Sequence, residues 1–180
     1  YLKSILGLST KKAENFKLFV SKESLHKNLD ILKLNATFTA DGITINNQFL
    51  KCHFIQKTDQ STGLQSIISA TEKTGPDDIL FTLPLSKDQL QLRSGVTPLG
   101  HTEYFREIYQ DPFIPMFFKR GQSNLLLVTD HIPLKEVPNT IDKDLIFHKT
   151  TTTIQGLRNY FKPVKNVYFS GVNPHSGEAG

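Results

Sequence analysis

The residues best suited to chemistry are three histidines that follow apolar segments. His101 comes after Leu99-Gly100, His131 after the run 125–129, and His175 after the run 167–172. In open α/β sheets, ligands bind in the crevice beyond the carboxyl ends of the strands. His131 and His175 both stand just past such ends. Two neutral imidazoles on neighbouring strand exits are a natural start for a divalent metal site. Taken singly, a loop histidine is more often a surface or structural residue than a ligand, so that reading stays open for each. His26, His53 and His148 sit in ordinary helix or strand contexts, and Cys52 lies in a strand run that favours packing over reactivity.

The densest polar stretch is Asn173-Pro174-His175-Ser176-Gly177-Glu178. Proline stiffens the turn after the strand, and Gly177 permits a close backbone approach. Asn173, His175 and Glu178 are thereby displayed at one strand exit. A third exit, Thr82-Leu83-Pro84-Leu85-Ser86-Lys87, puts Lys87 near a helix start, where it could meet a carboxylate or phosphate. Locally, a surface lysine at a loop-to-helix junction explains Lys87 better. The chain has no Gly-x-Gly-x-x-Gly, Walker A, Cys-x-x-Cys or Gly-x-Ser-x-Gly motif, so a glycine-fingerprint nucleotide site is not supported.

The elements that must position these residues follow from periodicity. Residues 1–8 read as the tail of an amphipathic helix, and 16–20 as a strand. Ser21 and Ser24 offer N-caps for a helix through Leu25, Leu29 and Leu32. Strands are expected at 36–39, 43–45 and 49–55, with Asp41-Gly42 as a hairpin-like turn. Leu64, Ile67, Ile68 and Thr71 have helical spacing, and Gly75-Pro76 ends that helix. The nearly continuous apolar run 78–83 then predicts a strand buried on both faces of a parallel sheet, and 166–172 predicts another. Residues 101–110 predict a helix with Tyr104, Phe105 and Ile108 inward. Strands are expected at 114–118 and 125–128, joined through Arg120-Gly121-Gln122-Ser123. A loop with Pro133 and Pro138 leads to a helix over 142–161, with Leu145, Ile154, Leu157 and Phe161 inward. The polar run 150–153 has poor helix propensity.

Composition sets outer bounds. The chain has 180 residues, 38% of them hydrophobic and 21% charged, as in an ordinary globular protein with one sizeable core or two partial ones. A net charge of +4 would suit an anionic partner, but the lysines gather only weakly, at Lys11-Lys12 and Lys162/Lys165. Nucleic acid is therefore not an expected partner. One cysteine excludes an internal disulfide framework and fits a reducing, cytoplasmic setting. No apolar run approaches the roughly 18 residues of a membrane span, and the start lacks a signal-peptide layout. The first residue is Tyr and the last segment stops inside the polar stretch, so truncation at both ends is expected.

Four segments, in this order, resemble the 4-hydroxythreonine-4-phosphate dehydrogenase family of vitamin B6 biosynthesis: Thr82-Leu83-Pro84-Leu85-Ser86-Lys87, Gly100-His101-Thr102-Glu103, Thr129-Asp130-His131-Ile132-Pro133-Leu134, and 171–180. The resemblance covers residues 62–180 well and 1–61 only in general layout. It implies a three-layer α/β/α fold similar to isocitrate and isopropylmalate dehydrogenases. On that pattern, 1–112 would belong to a first α/β domain and 113–180 to part of a second. It implies a homodimer with a shared active site, NAD or NADP as cofactor, and a phosphorylated hydroxy amino acid as substrate. It also implies a divalent metal (zinc, magnesium or cobalt) held by three histidines. By resemblance His131 and His175 are two of those ligands, His101 and Thr102 contact substrate, Lys87 lies near the site as a catalytic candidate, and Asn173 and Glu178 face the cofactor. The reaction so implied is oxidation of a secondary alcohol followed by loss of carbon dioxide.

The chain departs from the family in two respects. Asp130 stands where the family often has Thr, so it either partners a metal-bound histidine or faces solvent. The family's Gly-Asp-Pro-like opening loop is missing, and its third histidine and phosphate-binding residues would lie beyond Gly180, so this piece alone is expected to be inactive. Three other readings compete: a sister enzyme acting on a phosphorylated four-carbon hydroxy acid such as 4-phosphothreonate, a metal-dependent hydrolase with Glu178 as base, and a non-catalytic binding domain with structural histidines.

Overall fold

A computed structural model of the chain describes residues 2–56, 60–86, 89 and 100–172. The backbone gathers into two compact units, residues 1–90 and 91–180. Each combines helices with a sheet, the α/β class that the sequence predicts.

The first unit holds α1 (Leu2–Leu6), α2 (Thr10–Ala13), β1 (Lys17–Val20), α3 (Lys22–Leu32), β2 (Thr37–Phe38), β3 (Gly42–Ile45), β4 (Gln48–Phe54) and α4 (Thr62–Lys73). The sheet order is β1-β4-β3-β2. The β1–β4 pair is parallel, with Leu18 opposite Cys52, and the other two pairs are antiparallel. A parallel pair cannot be joined by a tight hairpin, so α3 and the β2–β3 strands fill the connection. Ser21 starts α3 as expected, its Oγ accepting from the Ser24 amide at 3.1 Å. The helix closes on Lys33, which takes a left-handed φ of 52° while Leu34 N donates to Leu29 O.

Along β4, burial alternates: Gln48, Leu50 and Cys52 point in, while Phe49 and Lys51 point out. Leu50 and Cys52 meet Ile43 and Ile45 of β3, Leu25 and Leu29 of α3, and Ala13 of α2 in one cluster. Burial pushes the Cys52 thiol up to about 11, which leaves it protonated and unreactive at neutral pH, as its strand setting suggested. A two-residue turn, Asn46-Asn47, joins β3 to β4 with φ of 50° and 62°. Two consecutive positive φ values match the twist of the flanking strands, and Asn tolerates them. In α4, Ser61 caps the first turn and Leu64, Ile67 and Ala70 are buried, close to the predicted spacing.

The second unit holds α5 (His101–Ile108), the antiparallel hairpin β5 (Met116–Arg120) and β6 (Ser123–Leu127), a 3-10 turn at Leu134–Glu136, α6 (Val137–Thr140) and α7 (Lys143–Tyr160). The hairpin turns on Gly121 and Gln122, with Gly121 at a φ of 58°. Asp142 caps α7, accepting from the Leu145 amide at 2.7 Å. The weak threonine stretch stays helical, and Thr153 Oγ1 donates to Lys149 O at 2.8 Å.

Three sequence expectations are corrected. Neither 78–83 nor 166–172 forms a buried strand. Both lie in irregular backbone, with Phe81 75% and Tyr168 88% exposed. An apolar run becomes a central strand only if a neighbouring strand satisfies its backbone and both faces are covered. Among the described residues neither segment has such a neighbour. On α7, Ile154 and Phe161 face solvent, and the buried positions are Lys149 and Leu157. The inward stripe runs at spacing of four through 145, 149, 153 and 157, which keeps Leu145 and Leu157 of the expected positions and leaves out Ile154 and Phe161.

Gly42 is the tightest point of the first core. A Cβ there would overlap the carbonyl oxygen of Leu50 and sit 2.8 Å from the Phe49 ring. Gly42→Ala is expected to lower stability by about 1–3 kcal/mol, the usual cost of overpacking. A urea titration followed by far-UV circular dichroism checks it, and an unchanged midpoint would show that the strand pair can give way.

Candidate metal and substrate site

In the second unit, helix α5 and the loop after β6 converge on one polar cluster. His101, Thr102 and Glu103 form the first turn of α5, and Arg106 lies one turn further on. Asp130 and His131 follow β6. His131 adopts φ 55°, a left-handed conformation in which His is over-represented among non-glycine residues. That turn sends the Asp130 side chain inward and leaves the His131 ring at the surface.

Asp130 is the anchor. Arg106 forms a two-pronged pair with it, Nη1 to Oδ1 at 2.8 Å and Nη2 to Oδ2 at 2.7 Å. Lys149 Nζ, from α7, donates to Oδ2 at 3.2 Å. The Asp130 and Lys149 side chains are only 2% and 4% exposed. Arg106 also donates through Nε and Nη2 to Ile114 O, at 3.1 and 2.9 Å. One carboxylate therefore links α5, the start of the hairpin, the loop after β6, and α7. The Arg106 guanidinium beside it, outweighing burial, holds the Asp130 carboxyl down at about 2. Asp130 raises the affinity of Arg106 for its proton in turn.

Glu103 connects this anchor to the histidine. Its Oε1 lies 3.2 Å from His131 Nδ1 and 3.6 Å from Arg106 Nη1. Its Oε2 is buried and has no hydrogen-bond partner among the described residues; the same holds for His101 Nε2. Ligand atoms of Glu103, Asp130 and His131 all fall within 4.8 Å of one another. Asp130 is nonetheless a poor metal ligand, because two cations already occupy its oxygens. His131, by contrast, keeps Nε2 free of the Glu103 contact, as a metal-binding imidazole requires. The donor chemistry thus fits a divalent cation at His131, close to the segment that carries His101 and Thr102.

The structure brings together the His101-Thr102 segment and His131. Lys87, Asn173, His175 and Glu178 lie outside the described residues. Sequence reasoning flagged Asp130 but left its direction open; the structure turns it inward. It missed Glu103, Arg106 and Lys149. The apolar spacing of α7 gave no signal for them, since the inward position of Lys149 follows from how that helix packs. An open groove lined by Ile141, Ile146, Phe147, Thr150 and Phe169 contains none of these groups.

The depressed Asp130 carboxyl ties stability to pH. Its ordinary value of 3.8 applies in the unfolded chain, which takes up the proton first as pH falls. The ion cluster thus stabilises the fold fully above about pH 4, and this contribution, about 2 kcal/mol, is lost between about pH 4 and pH 2. Asp130→Ala is expected to cost about 3–5 kcal/mol near neutral pH by leaving the buried Lys149 ammonium without its carboxylate. It should also flatten the acid limb of a stability-versus-pH curve, and an unchanged acid limb would refute the assignment.

Comparison with known proteins finds relatives named as dehydrogenases. A 4-hydroxythreonine-4-phosphate dehydrogenase from Sulfurihydrogenibium sp. (strain YO3AOP1) is 34% identical over 104 residues, covering 57% of this chain and 32% of the relative. One from Wigglesworthia glossinidia brevipalpis is 28% identical, covering 83% of this chain and 42% of the relative. A protein provisionally named a D-threonate 4-phosphate dehydrogenase, from Cutibacterium acnes, is 25% identical, covering 98% of this chain and 49% of the relative. The chain thus spans a third to a half of the length of these relatives. No solved structure matches significantly. The family model described as pyridoxal phosphate biosynthetic protein PdxA matches residues 7–180, nearly the whole chain, and the chain belongs to that family.

Proposed function

We propose that this chain is part of an NAD-dependent (or NADP-dependent), metal-assisted dehydrogenase. It oxidises and decarboxylates 4-phosphooxy-L-threonine to 3-amino-2-oxopropyl phosphate in pyridoxal phosphate biosynthesis. The observation that carries this reading is His131. Its ring stands at a strand exit, backed by a carboxylate, with Nε2 available, next to the turn that begins with His101. Family membership over 7–180 supports the same chemistry.

When bound, the divalent metal supplies Lewis acidity at the alcohol oxygen and the nicotinamide supplies a hydride acceptor. The chain's own residues bind and orient. His131 and His175 hold the metal. His101 and Thr102 contact the substrate, and the buried, unpartnered Nε2 of His101 is suited to a polar ligand group. By the family resemblance Lys87 is the catalytic candidate, and Asn173 and Glu178 bind the cofactor. The reading carries with it a homodimer that shares the active site and a cytoplasmic location. Among the described residues, no helix is long and apolar enough to cross a membrane.

A second reading, oxidation of a phosphorylated four-carbon hydroxy acid, has one observation in its favour. The relative provisionally named for D-threonate 4-phosphate aligns over 98% of the chain. The test uses the intact protein, its metal content and the appearance of NADH with each phosphorylated substrate. 4-phosphooxy-L-threonine is expected to be the better substrate by kcat/KM, and preference for the threonate would select the second reading. His175→Ala is expected to lose both metal and turnover. A variant that kept both would refute the role of His175.

A further inference from the structure

We propose that Glu103 is the positioning residue of His131, fixing the protonation and aim of its ring so that Nε2 faces the metal. The inference rests on the reading of His131 as a metal ligand. Its warrant is the 3.2 Å contact between Glu103 Oε1 and His131 Nδ1. An ionised carboxylate can only accept a hydrogen bond, so the ring nitrogen facing it must carry the proton. A neutral imidazole has one proton to place. With Nδ1 protonated, Nε2 holds the lone pair that a metal requires. The contact therefore chooses the tautomer as well as the orientation.

Glu103 is held for this task. Arg106 Nη1 stands 3.6 Å from the same oxygen, and Arg106 is itself clamped by Asp130 and by Ile114 O. The Glu103 side chain is 21% exposed and the His131 side chain 45% exposed, so the supporting group is the more enclosed and the ring the more open. Asp130, the direct neighbour of His131 in sequence, cannot take over, since Arg106 and Lys149 occupy its oxygens. A chain of contacts runs from Lys149 through Asp130, Arg106 and Glu103 to His131, and its last member is the most exposed. A carboxylate behind a metal-bound imidazole raises its basicity and orients it, and loss of such a partner typically weakens metal binding about 10–100-fold.

The test measures zinc affinity of the intact protein and its His131→Ala, Glu103→Ala and Glu103→Gln variants, with nitrogen-15 NMR of the histidine rings in metal-free protein at alkaline pH. Glu103→Ala is expected to weaken zinc about 10–100-fold. Glu103→Gln, whose amide oxygen still accepts from Nδ1, should stay within a few-fold of the parent. The metal-free parent should carry the His131 proton on Nδ1, and Glu103→Ala should move it toward Nε2. A parent protein with the proton on Nε2 overturns the positioning role even if a variant fails to fold. So does zinc affinity that falls in His131→Ala but not in Glu103→Ala. Unchanged affinity in His131→Ala overturns instead the reading of His131 as a ligand.

Discussion

A single buried negative charge organises the second half of this chain. Asp130 lies almost wholly out of water, and a carboxylate there persists only because Arg106 and Lys149 surround it. The three charged residues come from α5, the loop after β6, and the middle of α7. A purely apolar contact among these segments would tolerate sliding. A two-pronged guanidinium–carboxylate pair does not, because both of its bonds depend on the angle between the two planes. Among the described residues of this unit, Tyr104 and Leu157 are the buried large apolar side chains, while Phe118, Leu125 and Phe147 stay exposed.

The same charge bears on chemistry. By tying up Arg106, Asp130 holds one edge of Glu103, and Glu103 holds His131. Asp130 sits beside His131 in sequence, yet its influence runs through space around the cluster. An acid at this position adds a buried charge that needs two cations. Glu103 stands on a helix start and His131 follows a strand, and the contact between them narrows the directions the ring can take.

The first unit works differently. Its core is a conventional apolar one, in which Ile43, Ile45 and Leu50 are sealed by α2 and α3. There the parallel β1–β4 pair fixes which strand ends lie together.

What the sequence by itself determined was local. Ser21 announces the start of α3, because capping involves atoms three residues apart. The run 49–55 marks β4, and Gly121 marks the hairpin of the second unit. The histidine segments, with their order, gave the family. Tertiary structure alone decided the rest. Runs 78–83 and 166–172 have strand composition, but a strand exists only through its neighbours, and composition does not say whether a neighbour is present. The partners of Asp130 lie 24 and 19 residues away, and Glu103 lies 28 from His131. No periodicity links such positions, because their pairing is set by how α5, β6 and α7 pack. The residues that arrange the site could be found only once the chain had folded.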